Sequence, residues 1–208
     1  MLDVTENREA FPVQVSLPEG GIALPDLVSQ LNAEINRRGR VITALKLNGR
    51  ECDLLKLDAD VIVQDGERVD LESDLPGSIA RRSLEDVLSQ IDSFREELDA
   101  IVSDLARGDR ESSFRRFTRF LSEFRDIIQL LKTIESLFDL SYAEIRFEGG
   151  KSLQEFTEEL INILTEIKNA MENEDLVTLT DLLEYEVKET VFDDLEKVLP
   201  VLSDRLND

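Results

Sequence analysis

Apolar residues recur with a period of two in much of the first third of the chain, and in alternating steps of three and four beyond it. Phe11, Val13, Val15 and Leu17 alternate with other residues, which lays them on one face of a strand. Pro12 places that strand at a sheet edge or at its own start. Pro18-Glu19-Gly20-Gly21 then breaks the chain. Leu24, Leu27, Val28, Leu31 and Ile35 follow at helical spacing, with Pro25 suited to the first turn and Gly39 to the position past the end. Asn48-Gly49 separates two short apolar runs, Val41–Leu47 and Arg50–Leu55, and predicts a type I′ hairpin because both central residues need positive φ. An Asp65-Gly66 turn precedes Val69 and Leu71, which alternate with charges, and Leu2–Thr5 can supply one more short strand. The predicted order over residues 1–75 is (β)βαβββ.

That order, with Ile62-Val63-Gln64-Asp65-Gly66-Glu67-Arg68-Val69 near its end, resembles the β-grasp superfold of ubiquitin-like and sulfur-carrier proteins. Their last strand follows a similar Asp-Gly-acidic-x-Val turn. The resemblance covers about a third of the chain and implies a fold only. Carriers of that kind end in an exposed Gly-Gly whose carboxylate is activated, whereas here the module runs on through Asp74-Leu75-Pro76-Gly77.

Pro76-Gly77 marks the expected boundary, with Ser78 or Ser83 as an N-cap and Asp86 three residues beyond Ser83. Leu84, Val87, Ile91, Phe94, Leu98, Ile101 and Leu105 form a long amphipathic stripe ending before Gly108. Phe117, Phe120, Phe124, Ile127, Leu131, Ile134 and Phe138 form a second, starting near Asp109. The segment 140–151 is irregular, with a strand-like Ala143–Phe147. Ser152-Leu153-Gln154-Glu155 is a capping box that opens a third helix burying Leu153, Phe156, Leu160, Ile163, Ile167 and Met171. Asp175 can cap a fourth, carrying Leu176, Leu179, Leu183, Val187, Val191, Leu195, Val198 and Leu202, with Pro200 expected to kink or fray it near Glu196. The fold class is therefore α+β: a small β-grasp-like module over residues 1–75, then an antiparallel four-helix bundle over 78–208. Its helices are expected at about 78–106, 110–139, 152–172 and 175–206.

Composition narrows the function. Hydrophobic residues make up 41% of the 208, enough for a packed core. No apolar run is long enough to cross a bilayer, and the first residues lack the character of a signal peptide, so the expected location is the cytoplasm. The chain carries 24 basic and 46 acidic residues, a formal net charge of −22. Such a surface repels nucleic acid and anionic lipid, so neither is an expected partner. It fits a self-repelling soluble surface, adaptation to high salt (17 Arg against 7 Lys) or a cationic partner, and composition does not separate these.

There is no histidine and a single cysteine, Cys52. That removes Ser-His-Asp and Cys-His nucleophiles, histidine or multi-thiolate zinc sites, iron–sulfur clusters and the Glu-x-x-His pairs of di-iron bundles. Glu51 and Asp53 flank Cys52, the reverse of the electropositive setting that activates a thiol. Gly149-Gly150-Lys151-Ser152 has the local setting of a phosphate loop, but Ile145 stands where its first glycine belongs. Asp58-Ala59-Asp60 fails as a calcium loop because Ile62 and Val63 occupy its fifth and sixth places. Glu155, Glu158 and Glu159 on the third helix, and Glu184, Glu186 and Glu189 on the fourth, are read as solvated faces. No cofactor or metal is expected.

Charge segregation is the remaining signal. Between Arg107 and Arg125 six arginines stand against three acids, whereas residues 147–208 hold five basic and seventeen acidic residues. The basic start of the second helix can lie against acidic helices within the bundle. It can instead dock a partner through Arg115, Arg116 and Arg119 with Phe114 and Phe117, since arginine and aromatics are enriched at interface cores.

Asn173–Glu186, ending Asp181-Leu182-Leu183-Glu184-Tyr185-Glu186, resembles the most recognisable stretch of an uncharacterised group of bacterial proteins in which a similar helix closes a helical domain. The resemblance implies architecture and no activity. The expected function is that of a non-enzymatic protein-interaction protein, an adaptor, scaffold or chaperone-like factor with a protein partner or self-association. The alternative is a small-ligand or divalent-cation binder, or a carboxylate-based enzyme.

Overall fold

The computed structural model describes residues 2–13 and 15–206, with the backbone alone of Arg110. The chain is α+β and divides into two compact units, residues 1–79 and 80–208.

The first unit contains β1 (Asp3–Glu6), β2 (Glu9–Ala10), β3 (Ile22–Ala23), α1 (Leu24–Arg37), β4 (Val41–Leu47), β5 (Arg50–Glu51), β6 (Ile62–Val63) and β7 (Arg68–Asp74). Five strands form one sheet in the order β2-β1-β7-β4-β5, and β3 pairs with β6 apart from it. β1 and β7 are parallel, whereas β7 and β4 are antiparallel. The parallel pair needs a long crossover, which the intervening segment with α1 supplies. Strand alternation sets the inner face: Val4, Leu45, Val69 and Leu71 are buried with Leu27, Leu31 and Ile35 of α1. Full burial of each such side chain contributes roughly 1.5–3 kcal/mol.

Of the strand expected over Phe11–Leu17, in which Gln14 lies outside the described residues, only Phe11 reaches the ladder: Glu9 and Ala10 pair with β1, and the Phe11 N–H donates to the Val4 carbonyl at 2.8 Å. Pro12 has no N–H to donate, and the Val13 N–H turns back to the Phe11 carbonyl at 2.8 Å. The period of two survives in burial: Phe11 is buried, and Val13, Val15 and Leu17 pack partly buried against the same core. Gly21 is required where β3 meets β6. Its φ is +85°, and a Cβ there would lie 2.7 Å from Ile62 Cγ2 and from the Val63 carbonyl oxygen.

The second unit is helical: α2 (Pro76–Ala106), α3 (Arg110–Leu137), α4 (Leu153–Glu172), α5 (Leu176–Asp181), a π-helical stretch Leu182–Val191, and α6 (Phe192–Arg205). α2 begins at Pro76, whose fixed φ suits a first helical position, so Ser78 and Ser83 both lie inside the helix instead of capping it. Asp109, Ser152 and Asp175 cap α3, α4 and α5, and Ser152 with Glu155 completes the capping box. Ala143–Phe147 makes no strand; a single bridge joins Arg146 to Ser152, while Ile145 and Phe147 are buried. Tyr142 is buried beside them, and its hydroxyl donates to the Leu131 carbonyl at 2.5 Å. The core centres on aromatic rings: Phe192 lies 6.1 Å from Phe94, 6.4 Å from Phe120 and 6.0 Å from Phe124.

The last helical run departs from the single α-helix expected. Leu179, Leu183, Val187, Val191, Leu195 and Leu199 are all buried, and each step between them is four residues. In a 3.6-residue helix every such step drifts about 40° around the axis. The wider i→i+5 winding of 182–191, seen where the Phe192 N–H donates to the Val187 carbonyl, offsets that drift and keeps one face inward. Pro200 does not end α6, which continues to Arg205. Pro200 and Glu196 are both exposed, so solvent satisfies the carbonyl that Pro200 leaves without a donor.

Candidate functional site

α3 is the one helix of the second unit with more basic than acidic residues in its sequence, six against four. Its first turns start from the Asp109 cap, where the Ser112 N–H donates to Asp109 Oδ1 at 3.1 Å. The stripe Phe117, Phe120, Phe124 turns inward, so neighbouring positions face out. The five residues singled out from the sequence separate accordingly. Phe117 is 1% exposed and stacks on Phe120 at 6.4 Å, so it belongs to the core and offers nothing to a partner. Phe114 is half-buried, Arg116 half-buried, and Arg115 and Arg119 are exposed.

Two of the three arginines bind within the chain. Arg119 Nη2 reaches Glu97 Oε1 at 2.7 Å, and Arg116 Nη1 reaches Glu97 Oε2 at 3.3 Å. Both pairs tie α3 to α2. Arg116 Nε is buried 3.3 Å from Asp104 Oδ2, at an angle that makes no hydrogen bond. Arg115 makes no ion pair or hydrogen bond with any described residue, and with Arg116 and Arg119 it lines an open depression on the helix.

The other strong polar contacts also stitch helices together. Arg95 of α2 donates to Glu196 Oε1 at 2.7 Å and Asp193 Oδ1 at 2.8 Å, beside the Phe192 ring. Its hydrogen bond to Glu196 raises its already high pKa and holds the Glu196 carboxyl below the usual range. Lys151 donates to Glu159 and, at 2.7 Å, to Asp194. Burial pulls the Lys151 pKa down, and hydrogen bonds to Asp194 and Glu159 outweigh it, leaving the ammonium above its ordinary range. Burial pushes the Tyr142 phenol up, out of reach of physiological titration.

Of the acids considered as possible chemistry, Glu155 is held below the usual range by the Ser152 backbone N–H and hydroxyl, in its role as a cap. Glu159 is a partner of Lys151. Glu184, Glu186 and Glu189 lie along the π-helical stretch with Tyr185, which is 56% exposed. Among the described residues no group of three acids or cysteines is close enough to hold a metal ion. Cys52 is partly buried against the first unit's core. Among the described residues no helix is long and apolar enough to cross a membrane.

A family described as Domain of unknown function (DUF8042) matches residues 82–198, more than half of the chain, and the chain belongs to it. No curated protein and no solved structure matches the chain.

Proposed function

We propose that the chain is a non-enzymatic, cytoplasmic protein-interaction protein, an adaptor, scaffold or chaperone-like factor, and that the outward face of α3 contacts its partner. The observation that carries this is Arg115: an exposed guanidinium without a counterion among the described residues, on the one net-basic helix of a strongly acidic molecule. Arg119 and the half-buried Phe114 extend that face, and Glu97 holds Arg116 and Arg119 in place beside it. Arginine and partly exposed aromatic surface are the residue types that anchor interfaces.

The architecture is read in the same terms. The strand order β2-β1-β7-β4-β5, with β1 parallel to β7 and α1 between the hairpins, supports a β-grasp-like module. Pairing of Glu97 with Arg116, and of Asp99 with Lys188, supports antiparallel neighbours in a four-helix bundle. The match over 82–198 spans Asn173–Glu186, which supports reading that stretch as part of the family's signature.

Affinity capture with the full chain and with an R115E variant tests this reading. The expected result is a stoichiometric protein partner retained by the parent chain and lost by the variant, with equal helicity by circular dichroism. Undiminished capture by the variant, or substrate turnover by the pure chain, overturns it.

A further inference from the structure

The β1–β2 hairpin closes through Asn7 and Arg8, at φ of 50° and 71°, and the β4–β5 hairpin through Asn48 and Gly49, at 50° and 80°. Both asparagines are exposed, and both are tethered to β7. The Asn48 side chain accepts from the Arg68 N–H at 3.0 Å and donates to Glu67 at 2.7 Å. Its backbone N–H donates to the Arg68 carbonyl at 2.8 Å. Glu67 also accepts from the Gln64 N–H, so one carboxylate ties the Asn48-Gly49 turn to the Asp65-Gly66 turn. Of the eight asparagines in the chain, Asn48 alone precedes a glycine.

That neighbour decides the chemistry open to the side chain. The backbone nitrogen that follows an asparagine can attack its Cγ and close a five-membered ring, which any side chain on the following residue crowds and glycine does not. The Gly49 N–H makes no hydrogen bond with any described residue, and a Cβ there would meet nothing within 4 Å, so water and hydroxide reach it. We infer that Asn48 is a site of spontaneous deamidation, slowed in the folded chain by its tether to β7. Hydroxide takes the Gly49 amide proton, the nitrogen bonds to Asn48 Cγ, and the Cγ–Nδ2 bond breaks as ammonia leaves with a proton from water. Water then opens the succinimide at one carbonyl to give aspartate, or at the other to give isoaspartate, in which the chain runs through Cγ. One water is consumed and one ammonia released.

Ring closure turns the side-chain amide toward Gly49 and away from β7, so the hydrogen bonds to Arg68 and Glu67 break first. The product weakens the turn. Aspartate replaces the donor facing Glu67 by a like charge, and isoaspartate adds a backbone carbon to the two-residue turn between Leu47 and Arg50, which pair in the ladder. Asn7 has the same φ and a comparable tether, but Arg8 follows it, and it is expected to persist. The reaction needs no partner and does not depend on the role proposed for α3.

The full chain is incubated at mildly alkaline pH in native buffer and in concentrated urea, and the tryptic peptide Leu47–Arg50 is followed by mass and by chromatographic separation of the isoaspartyl form. Conversion at Asn48 ahead of every other asparagine is expected in native buffer, and about tenfold faster in urea, where the tether is lost. Glu67→Ala removes the acceptor of Nδ2 and should speed the native reaction about threefold while leaving the urea rate unchanged. Equal rates in the two solvents, a native rate not raised by Glu67→Ala, or Asn48 intact in native buffer after about ten half-times of the urea reaction overturns the proposal.

Discussion

The two hairpin turns of residues 1–79 share positive φ at both central positions, and a plain difference between them is the side chain at the second position, Arg8 in one and none at Gly49 in the other. Each turn opens with an asparagine that reaches β7. Asn7 brackets the backbone of Ser73, and Asn48 accepts from the Arg68 N–H at 3.0 Å while donating to Glu67 at 2.7 Å. Turn geometry and attachment to the sheet are thus solved twice in the same way. The comparison separates what the fold requires, an asparagine tethered to β7, from what it tolerates, an arginine in a left-handed conformation.

The largest effects should come from the shared asparagines. Asn7→Ala leaves the Ser73 N–H without its acceptor at a site only 5% exposed, and should destabilise the chain by about 2 kcal/mol in urea unfolding. Asn48→Ala removes contacts at an exposed site and should cost about half as much. Equal losses would remove the distinction between a buried and a solvated tether. Gly49→Arg copies the Asn7–Arg8 turn into the second hairpin and should cost about 1 kcal/mol, the penalty of the left-handed region. No loss would mean that this turn tolerates side chains freely.

The smallest expected effect is on pH dependence. Hydrogen bonds from Arg68 and then Thr5 hold the Asp70 carboxyl below its ordinary range, against a weak opposing effect of burial. Its contribution to stability is present above the unfolded value near pH 4 and is lost as pH falls through the depressed folded value. Asp70→Asn should therefore lower stability slightly at neutral pH and flatten the acid limb of the unfolding curve. An unchanged acid limb would contradict the pairing.

Much of the fold was legible because local chemistry determines it. Asn48-Gly49, Pro25 with Gly39, Ser152 with Glu155, and the alternating three- and four-residue stripes of α2 and α3 each carry their own cause. What escaped depends on partners distant in sequence or on a rhythm read too loosely. The parallel pairing of β1 with β7 joins residues at opposite ends of the first unit. Phe11–Leu17 has strand periodicity, but Pro12 withholds the ladder. The π-helical stretch was written in six buried positions spaced by fours, a signal distinct from the steps of three and four elsewhere. At the α3 site, the cluster of arginines was visible in composition. That Glu97 binds two of them was not, because Glu97 lies on another helix, and Phe117 was misplaced because a stripe that fills a core also looks like an interface. Arg8 could have been noticed only by recognising Asn7-Arg8 as a variant of Asn48-Gly49.

The difference between the two turns rests most directly on whether the left-handed backbone of Arg8 costs the fold stability. Equilibrium urea unfolding of the full-length R8G variant measures this. Relief of the left-handed penalty, reduced by the greater unfolded-state freedom of glycine, should leave the variant more stable by about 0.5–1 kcal/mol. A variant less stable than the parent would show that the Arg8 side chain supports the fold, and would contradict that penalty.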